Sequence, residues 1–395
     1  MSELHRLLTF PSRPITDAAY ATELHRFLAS GIPATYTLEQ VAAFEQGRGA
    51  EQDDIDGSNT TPLHILTRSL PLSLTEEETD VVLKMMDILF EYGAGWNFID
   101  YENKTIGDLL LEKGQDRNGK LYKRVVAAGV SAELLLRKIN GGEIEFLEVD
   151  RDDQAQEETV STTAAVVQPD TDRTADDSKT YLATPLEYTD DSLITKDNKD
   201  GVMMDWETEI MAVAAKTICS TGSAKEKIIL NVGFGMGIID TFIQKEKPTQ
   251  HYICEAHPDV LARMKTDGWY DRPNVIILEG KWQDSLNKLL DEGDTFFDGI
   301  YYDTFSEHYQ DMLDLYDVVV GLLKPEGVFS FFNGLGADRP LCYDVYREIV
   351  TIDVNNYGMN CQYANVSVNL NQDWQNVKRS YFNCNYYYHP RITFT

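Results

Sequence analysis

A short apolar run that ends in a glycine-dense loop is the feature that most constrains how this chain folds. The run Ile228–Val232 is rich in β-branched side chains and leads directly into the segment Gly233-Phe-Gly-Met-Gly237. A buried strand, a tight glycine turn and an amphipathic helix form the nucleotide-binding half of a doubly wound sheet. Glycine suits this turn because a Cβ atom would collide where the backbone passes close to a ligand. The sequence therefore predicts a cofactor site at this loop.

The next apolar run supplies a carboxylate for the ribose of such a cofactor. It ends at Glu255, roughly 20 residues after the loop, a position from which an acid can hydrogen-bond ribose hydroxyls. The loop glycines are spaced G-x-G-x-G and not G-x-G-x-x-G as in dinucleotide-binding proteins. This spacing favours S-adenosylmethionine over a nicotinamide dinucleotide.

Three later segments continue the alternation of strands and helices. Residues 274–283 predict a third strand followed by a loop that lays an aromatic side chain beside an adenine ring. Residues 296–303 predict a strand that carries an acid at its carboxyl end, where doubly wound sheets place their chemistry. Residues 322–332 predict the end of a helix, a turn and another buried strand. Ordinary sheet core is the alternative for each segment, but their order favours a class I methyltransferase fold with a seven-stranded, mostly parallel sheet.

The N-terminal third resembles a set of ankyrin repeats. In Asn59-Thr-Thr-Pro-Leu-His-Ile-Leu66, Thr61 would cap a helix and Pro62 would occupy its first turn. A second unit would begin near Thr105, which requires an insertion relative to the usual repeat of about 33 residues. We expect His64 to be structural. The alternative is an irregular helical cap on a catalytic domain.

These patterns divide the chain into three parts. Residues 1–147 are predicted to form the helical ankyrin-like domain, and residues 180–395 the methyltransferase domain. Residues 148–179 are rich in Asp, Glu, Thr and Gln and show no apolar period, which predicts a flexible acidic linker.

The charge balance and the cysteines limit the partners of the protein. There are 65 acidic and 35 basic residues, a formal net charge of −30. So negative a surface disfavours nucleic acid and anionic membranes and favours basic partners. We expect neither a secretory signal nor a membrane span. The five cysteines are scattered, which fits reduced thiols, and the seven histidines lack metal-ligand spacing, so no metal is predicted.

From Gly201 onward the chain resembles guanidinoacetate methyltransferase. The resemblance rests on five segments: Val202-Met-Met-Asp-Trp-Glu-Thr208, Val232-Gly-Phe-Gly-Met236, Tyr302-Asp-Thr304, Leu322-Leu-Lys-Pro-Glu-Gly327 and Tyr386-Tyr-Tyr-His-Pro-Arg-Ile-Thr393. With the ankyrin-like half and the acidic linker, the whole chain is similar to the fungal type IV protein arginine methyltransferases. Those enzymes methylate the internal, δ nitrogen (N5) of arginine in a ribosomal protein.

The resemblance implies a set of S-adenosylmethionine contacts, with S-adenosylhomocysteine as the product. They are Tyr181, Met203, Met211, Phe234, Gly235, Met236, Gly237, Ile238, Ile239, Glu255, Ala256, His257, Trp282, Gln283 and Asp303. Tyr188 competes with Tyr181 as the aromatic lid. Asn231 stands where guanidinoacetate methyltransferase has a glutamate, which implies weaker polar orientation of the cofactor. Phe305 replaces a tyrosine, which implies an acceptor pocket reshaped for something larger than guanidinoacetate.

The resemblance also makes Glu207 and Asp303 the candidate catalytic residues. The sulfonium and the guanidinium are both cations, and carboxylates offset their repulsion, align the guanidinium and accept a proton. For Glu207 the alternative is an ordinary acid in the first turn of a helix. Glu307 and His308 are possible auxiliary groups, although a surface position is the simpler expectation for both.

Three functions stay open at this point. The first is a protein arginine N5-methyltransferase, monomeric, cytoplasmic and nuclear, that acts on a basic ribosomal protein. The second is a methyltransferase for a small guanidino compound. The third is a non-catalytic ankyrin scaffold with a degenerate methyltransferase fold.

Overall fold

The computed structural model describes residues 2–45, 60–140, 177–222, 226–369, 374, 377–378 and 380–395. The chain divides into two compact units. Unit 1 comprises Met1–Phe146 with Arg339–Ile349, and unit 2 comprises Leu147–Asp338 with Val350–Thr395. Most of the predicted acidic linker lies outside the described residues, so its flexibility stays a prediction. Within the part of the chain that is described, no helix is long and apolar enough to cross a membrane.

Unit 1 is helical in its described N-terminal part. A π-helical turn over Asp17–Ala21 precedes the second helix. The α-helices are α1 (Glu3–Leu7), α2 (Thr22–Ala29), α3 (Leu38–Glu45), α4 (Pro62–Arg68), α5 (Glu76–Glu91), α6 (Ile106–Glu112) and α7 (Lys120–Asn140).

The helix starts of unit 1 follow the predicted capping chemistry. Thr61 accepts the backbone N–H of His64, and Pro62 begins α4, as expected. Thr105 caps α6 in a reciprocal capping box with Asp108. His64 is fully buried, and its Nδ1 lies 2.7 Å from Thr61 Oγ1, which confirms its structural role. Whether these helices form ankyrin repeats stays a prediction.

Unit 2 contains a seven-stranded sheet in the order β6-β5-β4-β7-β8-β10-β9. Five strands are parallel, and β10 runs antiparallel to both β8 and β9. The strands are β4 (Ile228–Val232), β5 (Gln250–Glu255), β6 (Val275–Glu279), β7 (Phe297–Tyr302), β8 (Leu323–Phe331), β9 (Met359–Ser367) and β10 (Tyr386–Phe394). This is the predicted class I methyltransferase sheet.

Helices cover this sheet, and a small antiparallel sheet precedes it. The helices of unit 2 are α8 (Ser178–Ala183), α9 (Thr208–Ile218), α10 (Ile238–Lys245), α11 (Pro258–Thr266), α12 (Trp282–Glu292), α13 (Tyr309–Leu322) and α14 (Pro340–Asn356), whose first residues belong to unit 1. The small sheet consists of β1 (Leu186–Tyr188), β2 (Ser192–Thr195) and β3 (Gly201–Met204).

The central strand β7 is buried along its whole length, which is typical of a parallel strand covered on both faces. The neighbouring strands β4 and β5 are nearly as apolar and place Ile229, Leu230 and Ile253 in the core. Since parallel strands end at one edge, the loops after β4, β5 and β7 meet there. That edge contains the candidate site.

Candidate functional site

A cleft opens at the carboxyl ends of the parallel strands. It is lined by Ser178, Tyr181, Leu182, Val202, Met203, Val232, Gly233, Gly235, Cys254, Glu255, Ala256, Gly280, Lys281, Trp282, Gln283, Asp303, Thr304, Phe305 and Glu307.

The glycine loop between β4 and α10 forms the floor of the cleft. Gly233 has a φ of 92°, and a Cβ atom built on it would lie 1.8 Å from the backbone oxygen of Asp303. The loop therefore passes so close to the end of β7 that only glycine fits. Next to it, Met203 Sδ accepts the backbone N–H of Met236 at 3.2 Å.

Asn231 supports this loop from below. Its side chain is fully buried, and its Nδ2 donates to the backbone oxygen of Gly233 at 2.7 Å and to the carboxylate of Asp240. Asn231 does not line the cleft. Its polar contacts therefore stabilise the loop, and the weaker polar orientation of the cofactor stays a prediction.

Glu255 ends β5 with its carboxylate held by backbone donors. Glu255 Oε2 accepts the N–H of Phe234 at 2.9 Å, and Oε1 accepts those of Ala256 and His257 at 2.7 and 2.6 Å. Burial raises the pKa of Glu255, while these three donors act in the opposite direction. The carboxylate is thus fixed at the cleft wall, where an acceptor for a ligand diol is expected.

Replacing Glu255 by Gln is expected to weaken S-adenosylhomocysteine binding by about tenfold to a hundredfold. The substitution removes a charged acceptor that three backbone N–H groups hold in place. Its loss reduces the binding free energy of the ligand by about 1.5–3 kcal/mol. Titration calorimetry measures it. Glu279→Gln is the matched control, since Glu279 is the register partner of Glu255 on β6 and does not line the cleft. Equal affinities for the two variants would contradict the assignment.

The opposite wall is formed by Trp282 and Gln283. The sequence predicted a loop here, but both residues lie in the first turn of α12, which starts directly after Gly280 and Lys281. Trp282 is buried, and its Nε1 donates to both carboxylate oxygens of Glu307, at 2.9 and 3.1 Å. Glu307 is therefore part of the cleft and not a surface residue.

An aromatic pair, Tyr181 and Phe305, lines the cleft. The ring centroids of Tyr181 and Phe305 are 4.9 Å apart, and Tyr181 also contacts the ring of His257 at 4.9 Å. Tyr188 does not line the cleft; its hydroxyl donates to the backbone oxygen of Gly235 at 3.0 Å. The structure thus favours Tyr181 over Tyr188 as the aromatic lid.

Several predicted cofactor contacts do not line the cleft. They are Met211, Phe234, Met236, Gly237, Ile238, Ile239 and His257. Met211 and Ile239 are fully buried, and Phe234 packs against Trp269 with ring centroids 5.2 Å apart. Met211, Phe234 and Ile239 belong to the hydrophobic core next to the loop. Direct contact with the cofactor stays a prediction for this group.

Glu207 and Asp303 lie close enough to perturb one another. Burial raises the pKa of Glu207, and the neighbouring Asp303 carboxylate raises it further. Burial also raises the pKa of Asp303, with a contribution from Asp240. Glu207 Oε1 accepts the backbone N–H of Met204 at 3.1 Å and the hydroxyl of Tyr381. Asp303 Oδ2 is buried without a hydrogen-bond partner, although the residue lines the cleft.

Such a pair is costly without a cation between its members. Two neighbouring carboxylates repel, and the buried, unsatisfied Oδ2 of Asp303 adds a desolvation cost. A planar guanidinium would satisfy both carboxylates through paired hydrogen bonds. Glu207 itself lies in the single 3₁₀ turn Asp205–Glu207 between β3 and α9, and not within a long helix.

Aromatic rings surround the Glu207 side of the pair. Trp206 contacts Phe332, Trp374, Tyr381 and Phe382 at centroid distances of 5.3–6.5 Å. Trp374 and Tyr381 also contact each other at 5.1 Å. The described residues thus combine two neighbouring acids with a cluster of aromatic rings.

The donor set of the cleft fits S-adenosylmethionine. Glu255 offers a fixed acceptor for a diol, Trp282 an aromatic wall for a purine, and Gly233 and Gly235 a backbone approach without side chains. S-adenosylmethionine is therefore the cofactor for which this cleft is built.

Two residues of the site were missed or misplaced from the sequence. Tyr381 is 174 positions from the Glu207 carboxylate to which it donates, and no local pattern connects them. Glu307 lies only four residues after Asp303, on a loop that leaves a strand end, and this position was a usable signal.

Comparison with known proteins gave matches in sequence over the whole chain. Residues 176–394 match the family model of guanidinoacetate N-methyltransferase. The chain is 65% identical over 411 aligned positions to the protein arginine N-methyltransferase 2 of Candida glabrata, and equally to that of Saccharomyces cerevisiae. Each alignment covers 100% of this chain and 100% of the relative. Among solved structures, the O-methyltransferase TomG of Streptomyces achromogenes aligns with a TM-score of 0.35 and 14% sequence identity. The alignment covers 49% of this chain and 81% of the TomG chain.

These relatives span the full length of the chain, and the matched family model covers the residues of the cofactor cleft as well as Glu207 and Asp303. The chain belongs to the protein arginine N-methyltransferase 2 family.

Proposed function

We propose that this protein methylates the δ nitrogen (N5) of an arginine side chain in a basic, ribosomal protein. S-adenosylmethionine supplies the methyl group as a sulfonium. The observation that carries the proposal is the pair of neighbouring acids Glu207 and Asp303. Glu207 is buried, Asp303 lines the cofactor cleft, and the charge of Asp303 contributes to the raised pKa of Glu207.

The two carboxylates address the main physical difficulty of the reaction. A guanidinium and a sulfonium at about 4 Å repel each other by roughly 4 kcal/mol in a medium of intermediate polarity. Two adjacent negative charges offset this repulsion. As a carbon–sulfur bond breaks and a carbon–nitrogen bond forms, the attacking nitrogen must lose a proton, and a carboxylate of raised pKa is a suitable acceptor.

Tyr381 fixes one of these carboxylates. Its hydroxyl donates to Glu207 Oε1, and the N–H of Met204 donates to the same atom. The proposal assigns the other oxygen, Oε2, to the guanidinium. Holding the guanidinium plane in a single orientation is the main way in which such a site speeds the transfer.

The aromatic wall and the charge support a protein acceptor over a small one. An arginine side chain brings an apolar methylene stem, which suits the rings of Trp206 and its neighbours, whereas guanidinoacetate brings a further negative charge next to two acids. The net charge of −30 favours a basic protein as the partner. We place this reaction in the cytoplasm and nucleus, where thiols stay reduced, and we expect the enzyme to act as a monomer.

The direct test is to incubate the protein with methyl-labelled S-adenosylmethionine and either a ribosomal protein fraction or guanidinoacetate. The proposal predicts label on a ribosomal protein, and fragmentation that leaves the methyl group on the ornithine-derived part of the arginine. Asp303→Asn is the control for background labelling. Label confined to guanidinoacetate, or to a terminal guanidino nitrogen, would refute the proposal.

The rate of methylation is expected to rise with pH through the neutral range. Glu207 and Asp303 both have raised pKa values, so each carries a proton at acidic pH, and the guanidinium requires the ionised forms. Because the pKa of Glu207 is raised to about 8 and that of Asp303 to about 7, we expect kcat/KM to increase by more than about tenfold between pH 6 and 8 and to level off only above pH 8. S-adenosylhomocysteine affinity measured at each pH separates this effect from cofactor binding. A rate that is flat from pH 5.5 upward would contradict ionisation in this range.

A further inference from the structure

The carboxylate of Glu307 collects hydrogen bonds from two separate parts of the cleft. From α12, Trp282 Nε1 donates to both of its oxygens, and Gln283 Nε2 donates to Oε1 at 3.2 Å. From the end of β7, Thr304 Oγ1 donates to Oε2 at 2.6 Å, and the hydroxyl of Tyr302 donates to the same atom. One side chain therefore joins the wall of the cleft to the strand that presents Asp303.

The local backbone directs Glu307 to this position. Ser306, the preceding residue, has a left-handed backbone with a φ of 61°. Such a conformation is uncommon for a residue other than glycine and is found where the surrounding structure requires it. The turn follows directly after Phe305 and returns the chain toward the cleft, where Glu307 forms part of the lining.

The hydrogen bond from Gln283 determines the orientation of its amide. A carboxylate only accepts hydrogen bonds, so the NH₂ group of Gln283 must face Glu307. The carbonyl oxygen Oε1 then points away from Glu307, and it is buried without a hydrogen-bond partner in a residue that lines the cleft. A buried acceptor of this kind favours a ligand that brings a donor and disfavours one that brings a second acceptor.

From this arrangement we infer that Glu307 is a positioning residue that sets the base specificity of the cleft, by fixing Trp282 as a wall and Gln283 Oε1 as an acceptor. The base it selects is a 6-aminopurine, whose exocyclic amine is a donor. A 6-oxopurine, whose corresponding oxygen is an acceptor, is rejected. The inference rests on the proposed use of this cleft for S-adenosylmethionine, but it concerns binding and not the methyl acceptor.

The test compares the binding of S-adenosylhomocysteine and S-inosylhomocysteine by titration calorimetry. The wild-type protein is expected to prefer the adenosyl ligand by at least tenfold. In Glu307→Gln, the new NH₂ group is itself a donor and faces the four donors that the carboxylate accepted, so the Gln283 side chain is no longer held in one orientation. The preference for the adenosyl ligand is therefore expected to fall to about threefold or less. Glu279→Gln, which removes a carboxylate from the neighbouring strand end outside the cleft, is expected to keep the wild-type preference.

A second measurement identifies the positioning role without any ligand. The chain has five tryptophans, so ¹⁵N-tryptophan labelling gives five indole N–H resonances, and Trp282→Phe identifies the one of interest. Glu307→Gln is expected to shift that resonance because its charged acceptor is lost, whereas Gln283→Met is expected to reduce the base preference and leave the resonance in place.

An unchanged base preference in both Glu307→Gln and Gln283→Met would overturn the inference. The same holds if the chemical shift of the Trp282 resonance is the same in Glu307→Gln as in the wild-type protein. Failure of the wild-type protein to distinguish the two ligands would also overturn it. None of these results depends on turnover. A protein that shows the expected base preference but methylates no arginine would refute the proposed function and leave the role of Glu307 intact.

Discussion

Glu207→Gln is expected to make the free protein more stable at pH 8 while reducing its turnover by about a thousandfold. The native pKa of Glu207 is raised by burial and by Asp303, whereas in the unfolded chain it returns to about 4.5. A carboxyl group whose pKa is raised in the folded protein does not lower the free energy of unfolding at pH values below its pKa in the unfolded chain. The loss of stability grows as the pH rises toward the pKa of the folded protein and stays constant above it.

The glutamine keeps most of the local contacts of Glu207. Its carbonyl oxygen accepts the same hydrogen bonds from Met204 and Tyr381, and its amide offers a donor to Asp303 in place of a repelling charge. Removing a buried, uncompensated charge in this way is worth about 2 kcal/mol, or about 4–8 °C in the melting temperature of a unit of this size. The loss of turnover reflects the loss of one of two charges aimed at the reacting group.

Unfolding measured by calorimetry at pH 4.5 and pH 8 tests this expectation. The stability gain should be present at pH 8 and absent at pH 4.5. Glu279→Gln, which removes an exposed carboxylate that pairs with Lys265, should show no such gain. A variant of Glu207 that is less stable than the wild type at both pH values would show that the acid is a structural support.

Gly233→Ala is expected to cost more than 3 kcal/mol of stability in unit 2 and to abolish cofactor binding. Gly233 has a φ of 92°, and the new Cβ atom would lie 1.8 Å from the backbone oxygen of Asp303. Neither atom belongs to a flexible side chain, so the loop and the end of β7 must separate. Both the cofactor floor and the position of Asp303 would then change.

A glycine with a similar backbone in open space provides the control. Gly358 has a φ of 70°, and a Cβ atom built on it would meet nothing within 4 Å. Gly358→Ala should therefore lose only about 1 kcal/mol of stability, the cost of placing an alanine in a left-handed backbone conformation. Its affinity for the cofactor should not change. If the two variants lost similar amounts of stability in chemical denaturation, the close approach of Gly233 to Asp303 would not be the cause.

The sequence predicted the cofactor half of the site because its signals are local. The glycine loop, Glu255 and the acid after β7 each follow directly after a strand, and parallel strands bring their carboxyl ends together whatever the remaining chain does. The capping of α4 by Thr61 is local in the same sense, since the cap and the N–H that it satisfies are three residues apart.

The acceptor half of the site was less accessible to sequence analysis. Tyr381 reaches Glu207 from an irregular segment far along the chain, and the ring contacts of Trp206 come from four other positions. Such contacts follow from tertiary packing and carry no periodic pattern. The helical start at Trp282 was also missed, because the segment Gly280-Lys281 reads as a loop and Lys281 makes no side-chain cap.

The account depends on Glu207 and Asp303 acting as one anionic site for a guanidinium. The measurement that tests this most directly is the rate of methylation of the ribosomal protein fraction by Glu207→Gln, by Asp303→Asn and by the double variant, at saturating S-adenosylmethionine. Residues that act as a unit are not additive, so all three variants should fall to a similar residual rate, about a thousandfold below wild type, while Glu279→Gln remains near wild type. If either single variant kept more than about a tenth of the wild-type rate, or if the two losses simply multiplied in the double variant, the paired-carboxylate account would be wrong.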